Sequence, residues 1–164
     1  MKLKLSFWNQ VKMLMGLIFM SLVYFSFLYF GWNSFDLKLM FFLLIPYFVL
    51  FFFPVMCIHF NYLNENQGVF FEISKDMIFV NTNAQVLKYT SEDIGEIVFY
   101  MSGTRNRGNG GLAHSGYYYA RVNLLDGSSF IITSLYSSKI DKIIEENFKD
   151  VKMITEKVFY PMIS

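Results

Sequence analysis

Apolar residues run almost unbroken from Met13 to Trp32 and again from Leu39 to Phe60, separated by the connector Asn33-Ser34-Phe35-Asp36-Leu37-Lys38. At about 1.5 Å of rise per residue the first run covers roughly 30 Å, the thickness of a bilayer's hydrocarbon core. The second is a little longer and rich in Phe, Leu, Ile and Val, which favour insertion by about 0.3–0.6 kcal/mol each at a helix centre and outweigh Pro46, Pro54 and His59. Fully extended, the connector reaches about 20 Å, too short to recross. The second helix therefore returns antiparallel, and residues 13–60 are expected to form a two-helix transmembrane hairpin. Pro46 and Pro54 each remove a backbone donor, so kinks are expected there unless neighbours re-satisfy the freed carbonyls. Neither run contains Asp, Glu, Lys or Arg, so neither offers an ion relay.

From Gly68 onward the pattern changes to short apolar stretches broken by turn residues, which reads as strands. Val69 to Ile73 and Met77 to Asn81 flank the turn Ser74-Lys75-Asp76; Gln85 to Thr90 follows a bend at Asn83, and Ile94 to Met101 comes after Ser91-Glu92-Asp93. Tyr117 to Leu125 and Ser128 to Leu135 flank Asp126-Gly127, the strongest short hairpin signal in the chain. Pairing through a two-residue turn sets Val122 opposite Ile131 on a core face and Arg121 opposite Ile132 on a partly wet one. Ile140, Ile143, Ile144 and Phe148 then recur at helical spacing behind Ser137 or Ser138 as N-cap, predicting one amphipathic helix. Lys152 to Pro161 is extended again, a terminal strand closed by Pro161. The fold class is therefore α+β: an N-terminal hairpin of membrane helices, then a mostly antiparallel β domain with one helix.

Charge sets the expected topology. Lys2, Lys4 and Lys12 precede the first apolar run while the connector balances Lys38 against Asp36, so the N-terminus is expected in the cytoplasm. An even number of crossings brings residues 61–164 back to the same side. Residues 1–12 then read as a cytoplasmic flank, with Phe7 and Trp8 suited to the membrane interface, as are Tyr29, Trp32 and Tyr62. A cleaved signal peptide fits poorly, because the apolar run is too long and no small-residue cleavage site follows it. The expected location is the inner (cytoplasmic) membrane of a bacterial cell, as a multi-pass protein with both termini inside. Cys57 is the single cysteine, so no internal disulfide exists. A formal net charge of +1 lacks the basic face of a nucleic-acid binder, and no nucleic-acid partner is expected.

The order of hairpins and one late helix, tied to a membrane hairpin, resembles the bacterial pleckstrin-homology-like (PH-like) domains of small membrane proteins. Three stretches carry the likeness: Phe71-Glu72-Ile73-Ser74-Lys75-Asp76-Met77-Ile78-Phe79, Tyr89-Thr90-Ser91-Glu92-Asp93-Ile94, and Leu125-Asp126-Gly127-Ser128 before the helix. It covers roughly residues 66–150 and implies a bent seven-stranded barrel capped by a helix, acting by binding or oligomerisation and not by catalysis. The strand after the helix departs from the usual ending of such folds. The first hairpin lacks the clustered Lys and Arg that phosphoinositide binding would need, so no lipid-binding residue is carried over.

Chemistry is sparse. The segment from Gly103 to Gly116 is the most suggestive loop, and Gly108-Asn109-Gly110-Gly111-Leu112-Ala113 matches a dinucleotide fingerprint as written. That motif works only where the glycines open a helix, whereas Tyr117-Tyr118-Tyr119 announces a strand. Arg105 and Arg107 remain as weak candidates for contact with anionic lipid or an acidic partner, each worth about 1 kcal/mol near a charged membrane. Cys57 with His59 is too small a set for a metal, His114 has no local relay partner, and Glu92, Asp93 and Glu96 read as solvated charges. No catalytic residue, metal or cofactor is expected. The function expected is a noncatalytic integral membrane protein whose PH-like domain binds a protein or its own copies at the membrane, with lipids as the surrounding partner. A transport or channel component and a toxin-immunity protein are the alternatives.

Overall fold

A computed structural model describes residues 1–31, 36–82, 84–105 and 112–163. The described residues form eight strands and four α-helices in the order β1 (Lys2–Leu3), α1 (Phe7–Phe30), α2 (Leu37–Tyr47), α3 (Phe53–Asn66), β2 (Val69–Ser74), β3 (Met77–Thr82), β4 (Val86–Thr90), β5 (Ile94–Ser102), β6 (Tyr118–Leu124), β7 (Ser129–Thr133), α4 (Ile140–Asn147) and β8 (Met153–Val158). A π-helical turn, Phe48–Phe52, joins α2 to α3. Trp32, most of the connector and the bend at Asn83 lie outside the described residues.

Among these elements, two helices are long and apolar enough to cross a bilayer, Phe7–Phe30 and Lys38–Asn66. The second stays continuous through both prolines. Pro54 has no N–H to donate to the turn before it, and the wider π turn lets the Phe53 N–H reach back to the Phe48 carbonyl. Asp36 opens α2 by accepting the Leu39 N–H at 2.7 Å. Tyr24 donates to the Leu43 carbonyl and Tyr47 shares a hydrogen bond with Ser21, while the Tyr24 and Tyr47 rings stack at 4.8 Å. These bonds give the antiparallel helices a defined pairing inside apolar surroundings.

The two sheets have the orders β1-β2-β3-β4 and β7-β6-β5-β8. Their first strand is a finding that the sequence did not announce. Lys2–Leu3, expected within a topogenic flank, pairs antiparallel with Glu72 and Phe71, and Ile73 donates its N–H to the Met1 carbonyl at 2.8 Å. Leu3 is buried in the core beside Phe71, Ile73, Ile78, Ile97, Phe99, Val122 and Ile132. Two residues are too short to show a period, so hydrophobic patterning cannot reveal such a strand. The consequence for architecture is large: α1, α2 and α3 sit between two strands that are neighbours in one sheet.

The β6–β7 hairpin forms, but one residue out of the expected register. Val122 faces Phe130 and Arg121 faces Ile131, so Ile132 enters the core with Ala120 while Ile131 turns to the other face. The reason lies in the loop. Gly127 adopts φ +86° and donates to the Leu124 carbonyl at 3.1 Å, a type I turn followed by a left-handed glycine, which adds a residue relative to a two-residue turn. Asp126 accepts from the N–H and hydroxyl of Ser128 at 2.8 and 2.6 Å, fixing that wider loop.

Helix α4 has Lys139 and not Ser137 or Ser138 at its N-cap, while Ser137 accepts the Lys139 N–H at 3.2 Å in the turn that leads into it. Ile140, Ile144 and Phe148 are buried from it against the sheets. The terminal strand exists as β8, yet it runs parallel to β5, from Ile97 opposite Met153 to Ser102 opposite Val158. A helix precedes it, and a helical crossover returns a chain in the parallel sense. The second sheet is thus mixed while the first is antiparallel throughout, and their ladders do not join them into a closed barrel among the described residues.

Candidate functional site

Alternation along β6 divides three consecutive tyrosines between two environments. Tyr118 points into the core between the sheets, whereas Tyr117 and Tyr119 point to the opposite face and meet the helices. There Met13 and Leu17 of α1, and Val55, Ile58 and Tyr62 of α3, join Ala113, Tyr117, Tyr119 and Leu135 in a second apolar cluster. The feet of both long helices are therefore packed onto the β domain. Gly16 permits the approach, since a Cβ there would stand 3.2 Å from the Ala113 carbonyl oxygen.

Polar groups in this junction are paired across it. His59 Nδ1 and the Tyr117 hydroxyl share a hydrogen bond of 2.9 Å, and Asn9 donates to the Tyr136 carbonyl at 2.6 Å. Asn66 donates to Thr133. The C-terminal tail crosses the end of α3: Tyr62 donates to the Pro161 carbonyl at 2.7 Å, and Asn61 exchanges bonds of 3.1 and 2.8 Å with the backbone of Ile163. Each bond joins residues about a hundred positions apart. Helix, sheet and tail are one packed unit at this level.

Arg105, expected on an open loop, is turned inward. Its guanidinium lies 3.4 Å from the Tyr118 ring centroid, pairs with Asp141 at 2.9 Å and donates to the Ser138 carbonyl at 3.2 Å. Tyr118 donates to the other Asp141 oxygen at 2.9 Å and accepts the Asp141 backbone N–H at 3.2 Å. Burial pushes the Tyr118 hydroxyl well above its ordinary value, against the opposite pull of Arg105. The arrangement clamps the loop after β5 to the start of α4. Arg107 and the glycines 108, 110 and 111 of the fingerprint lie outside the described residues.

The other charged candidates do not converge. Glu96 pairs with Lys152 at 2.9 Å, and Asp93 accepts from the N–H and hydroxyl of Thr90 at 2.7 and 2.8 Å. These partners hold both carboxyls below their ordinary values. Cys57 is exposed while His59 is committed to Tyr117, and no group of His, Cys, Asp or Glu among the described residues could hold a metal.

One concave feature was not anticipated from sequence. Leu50, Phe51 and Val55 on one side, Ala113 and His114 on another, and Phe159 and Tyr160 of the tail enclose a cleft of about 210 Å³. His114 is buried with its ring against Phe159 and Tyr160, and its Nε2 has no hydrogen-bond partner among the described residues. Desolvation holds its pKa below the ordinary 6.5, against an opposing pull from the Phe159 backbone. The cleft draws on three distant segments, so no local motif could mark it. The one available signal is Leu112-Ala113-His114, an apolar pair and a histidine at the end of a glycine-rich loop.

No curated protein and no solved structure matches the chain. A family model described as a PH domain matches residues 2–141, from β1 across both apolar helices to the start of α4. Members of that family are generally noncatalytic modules that bind lipids or proteins. Two sheets, a late helix and a match over most of its length place this chain in the PH domain family.

Proposed function

We propose that this chain is a noncatalytic integral membrane protein in which a helical hairpin holds a PH domain at the cytoplasmic face, where the domain binds a protein or another copy of itself. The carrying observation is the insertion of two apolar helices between hydrogen-bonded neighbours β1 and β2. Both ends of the insertion are tied to one sheet, so helices that enter the bilayer must also leave it on the same side. Exposed apolar side chains along them, Phe19, Leu22, Phe30, Phe41, Phe42 and Leu50 among others, suit lipid better than water.

Binding is supported by β4, which ends the order of its sheet and carries a largely exposed Val86 beside one charge, Lys88. An open edge offers backbone groups to a partner strand. The experiment combines alkaline extraction of native membranes with crosslinking and mass spectrometry of the full chain, comparing the natural sequence with Val86→Lys. Retention in the membrane pellet and a crosslinked partner or dimer that weakens in the variant are the expected results. Release into the alkaline wash overturns the membrane reading, and a monomer without partners overturns the binding reading. Thiol labelling of a cysteine introduced at Asp150 tests the side, with protection in sealed cells expected.

A further inference from the structure

We propose that the cleft between the π-helical turn and His114 receives the head of a neutral, single-chain membrane amphiphile bearing a hydroxyl group, of the monoacylglycerol type. The inference rests on the membrane reading above. Counting about 30 Å, or roughly 20 residues, back from the hairpin tip places the lower limit of the apolar slab near Gln10 in α1 and near Cys57 in the returning helix. Leu50, Phe51 and Val55 fall inside that limit, so the cleft opens where the β domain meets the inner part of the lipid layer. Leu50 and Phe159, both largely exposed, give it an apolar rim continuous with the helix surface.

The chemistry selects the ligand. The π turn that carries Leu50 and Phe51 departs from regular helix at this point, and such turns are frequent at functional sites. Among the described residues the walls are mostly apolar and hold no charged side chain, which disfavours an ionic head. Buried without a partner, the His114 Nε2 needs a polar group to pair with it. A hydroxyl pairs with that nitrogen whichever ring nitrogen carries the proton, whereas a carboxylate, a phosphodiester or a methyl ester can only accept. Water is a poor occupant because a stable buried water needs about two to four polar partners. At about 210 Å³ the space accepts one end of a ligand, the chain remaining among lipids.

The test uses the full chain, labelled with ¹⁵N at its two histidines and reconstituted in phosphatidylcholine vesicles. The probes are 1-monooleoylglycerol and methyl oleate, which differ in the glycerol hydroxyls. The expected result is a saturable change of the His114 Nε2 resonance with the first probe alone, lost in Leu50→Trp, with His59 unmoved. Leu50 is mostly exposed, so the tryptophan can narrow the mouth without disturbing the core; circular dichroism checks the fold. Equal response to both probes, no response to either, or an unchanged response in the variant overturns the proposal. Vesicle flotation separates the causes: protein that floats without responding lacks this site, and protein that does not float overturns the membrane reading together with the site that depends on it.

Discussion

The Arg105 guanidinium sits face-on to Tyr118 and bonds to Asp141 with little access to water. Removing one partner leaves a carboxylate facing a phenol without its counter-charge, a loss of about 2–3 kcal/mol for charged hydrogen bonds of this kind. Arg105→Ala should therefore lower the urea midpoint of the purified protein, and Arg105→Lys should restore only part of it, because a point charge cannot stack and fork at once. His114 gives a second expectation. Its folded pKa lies below 6.5, so the folded state binds fewer protons than the unfolded one near that pH. Stability from this group is complete above 6.5 and is lost as the pH falls toward the depressed value; denaturation across mildly acidic buffers should show a slope that shrinks in His114→Gln. The cleft's described lining offers no charged group to counter that trend.

Regular segments with a clear period were readable in advance: both apolar helices, the hairpins around Lys75 and Asp126, and the amphipathic run from Ile140 to Phe148. What escaped were details set by a single backbone angle or by distant partners. Gly127 in the left-handed region moved a whole strand by one position and exchanged the faces of Ile131 and Ile132, which no alternation within that strand could disclose. Arg105 looked exposed because its partner Asp141 lies on α4, 36 residues away. The seating of α1 on the Ala113 turn through Gly16 was equally invisible from sequence. Gly16→Val should force that contact apart, with an overpacking loss of about 1–3 kcal/mol and faster proteolysis in the loop after β5. Limited proteolysis of the variant in detergent checks this.

The PH domain of this chain is discontinuous in sequence, with its first strand before the two apolar helices and the remaining strands after them. Residues 61–164 expressed alone would lack Leu3 from the core and would expose Tyr117, Tyr119 and Leu135, which the helices cover. That fragment should aggregate or elute as large species in size-exclusion chromatography, while Leu3→Ala in the full chain should cost about 2–4 kcal/mol as a buried leucine truncation. A monodisperse, stable fragment would show that the helices are dispensable to the fold.

Strand β1 also imposes an order of events during synthesis. Its partner Phe71 leaves the ribosome 68 residues after Leu3, a wait of about 3–14 s at usual elongation rates. Throughout that interval the nascent sheet has a beginning and no neighbour, while both apolar helices emerge in full. In the proposed membrane setting, sheet closure is then the final signature that the hairpin has been threaded out and back, and a chain whose second helix failed to return would carry its first strand stranded across the bilayer from its partner.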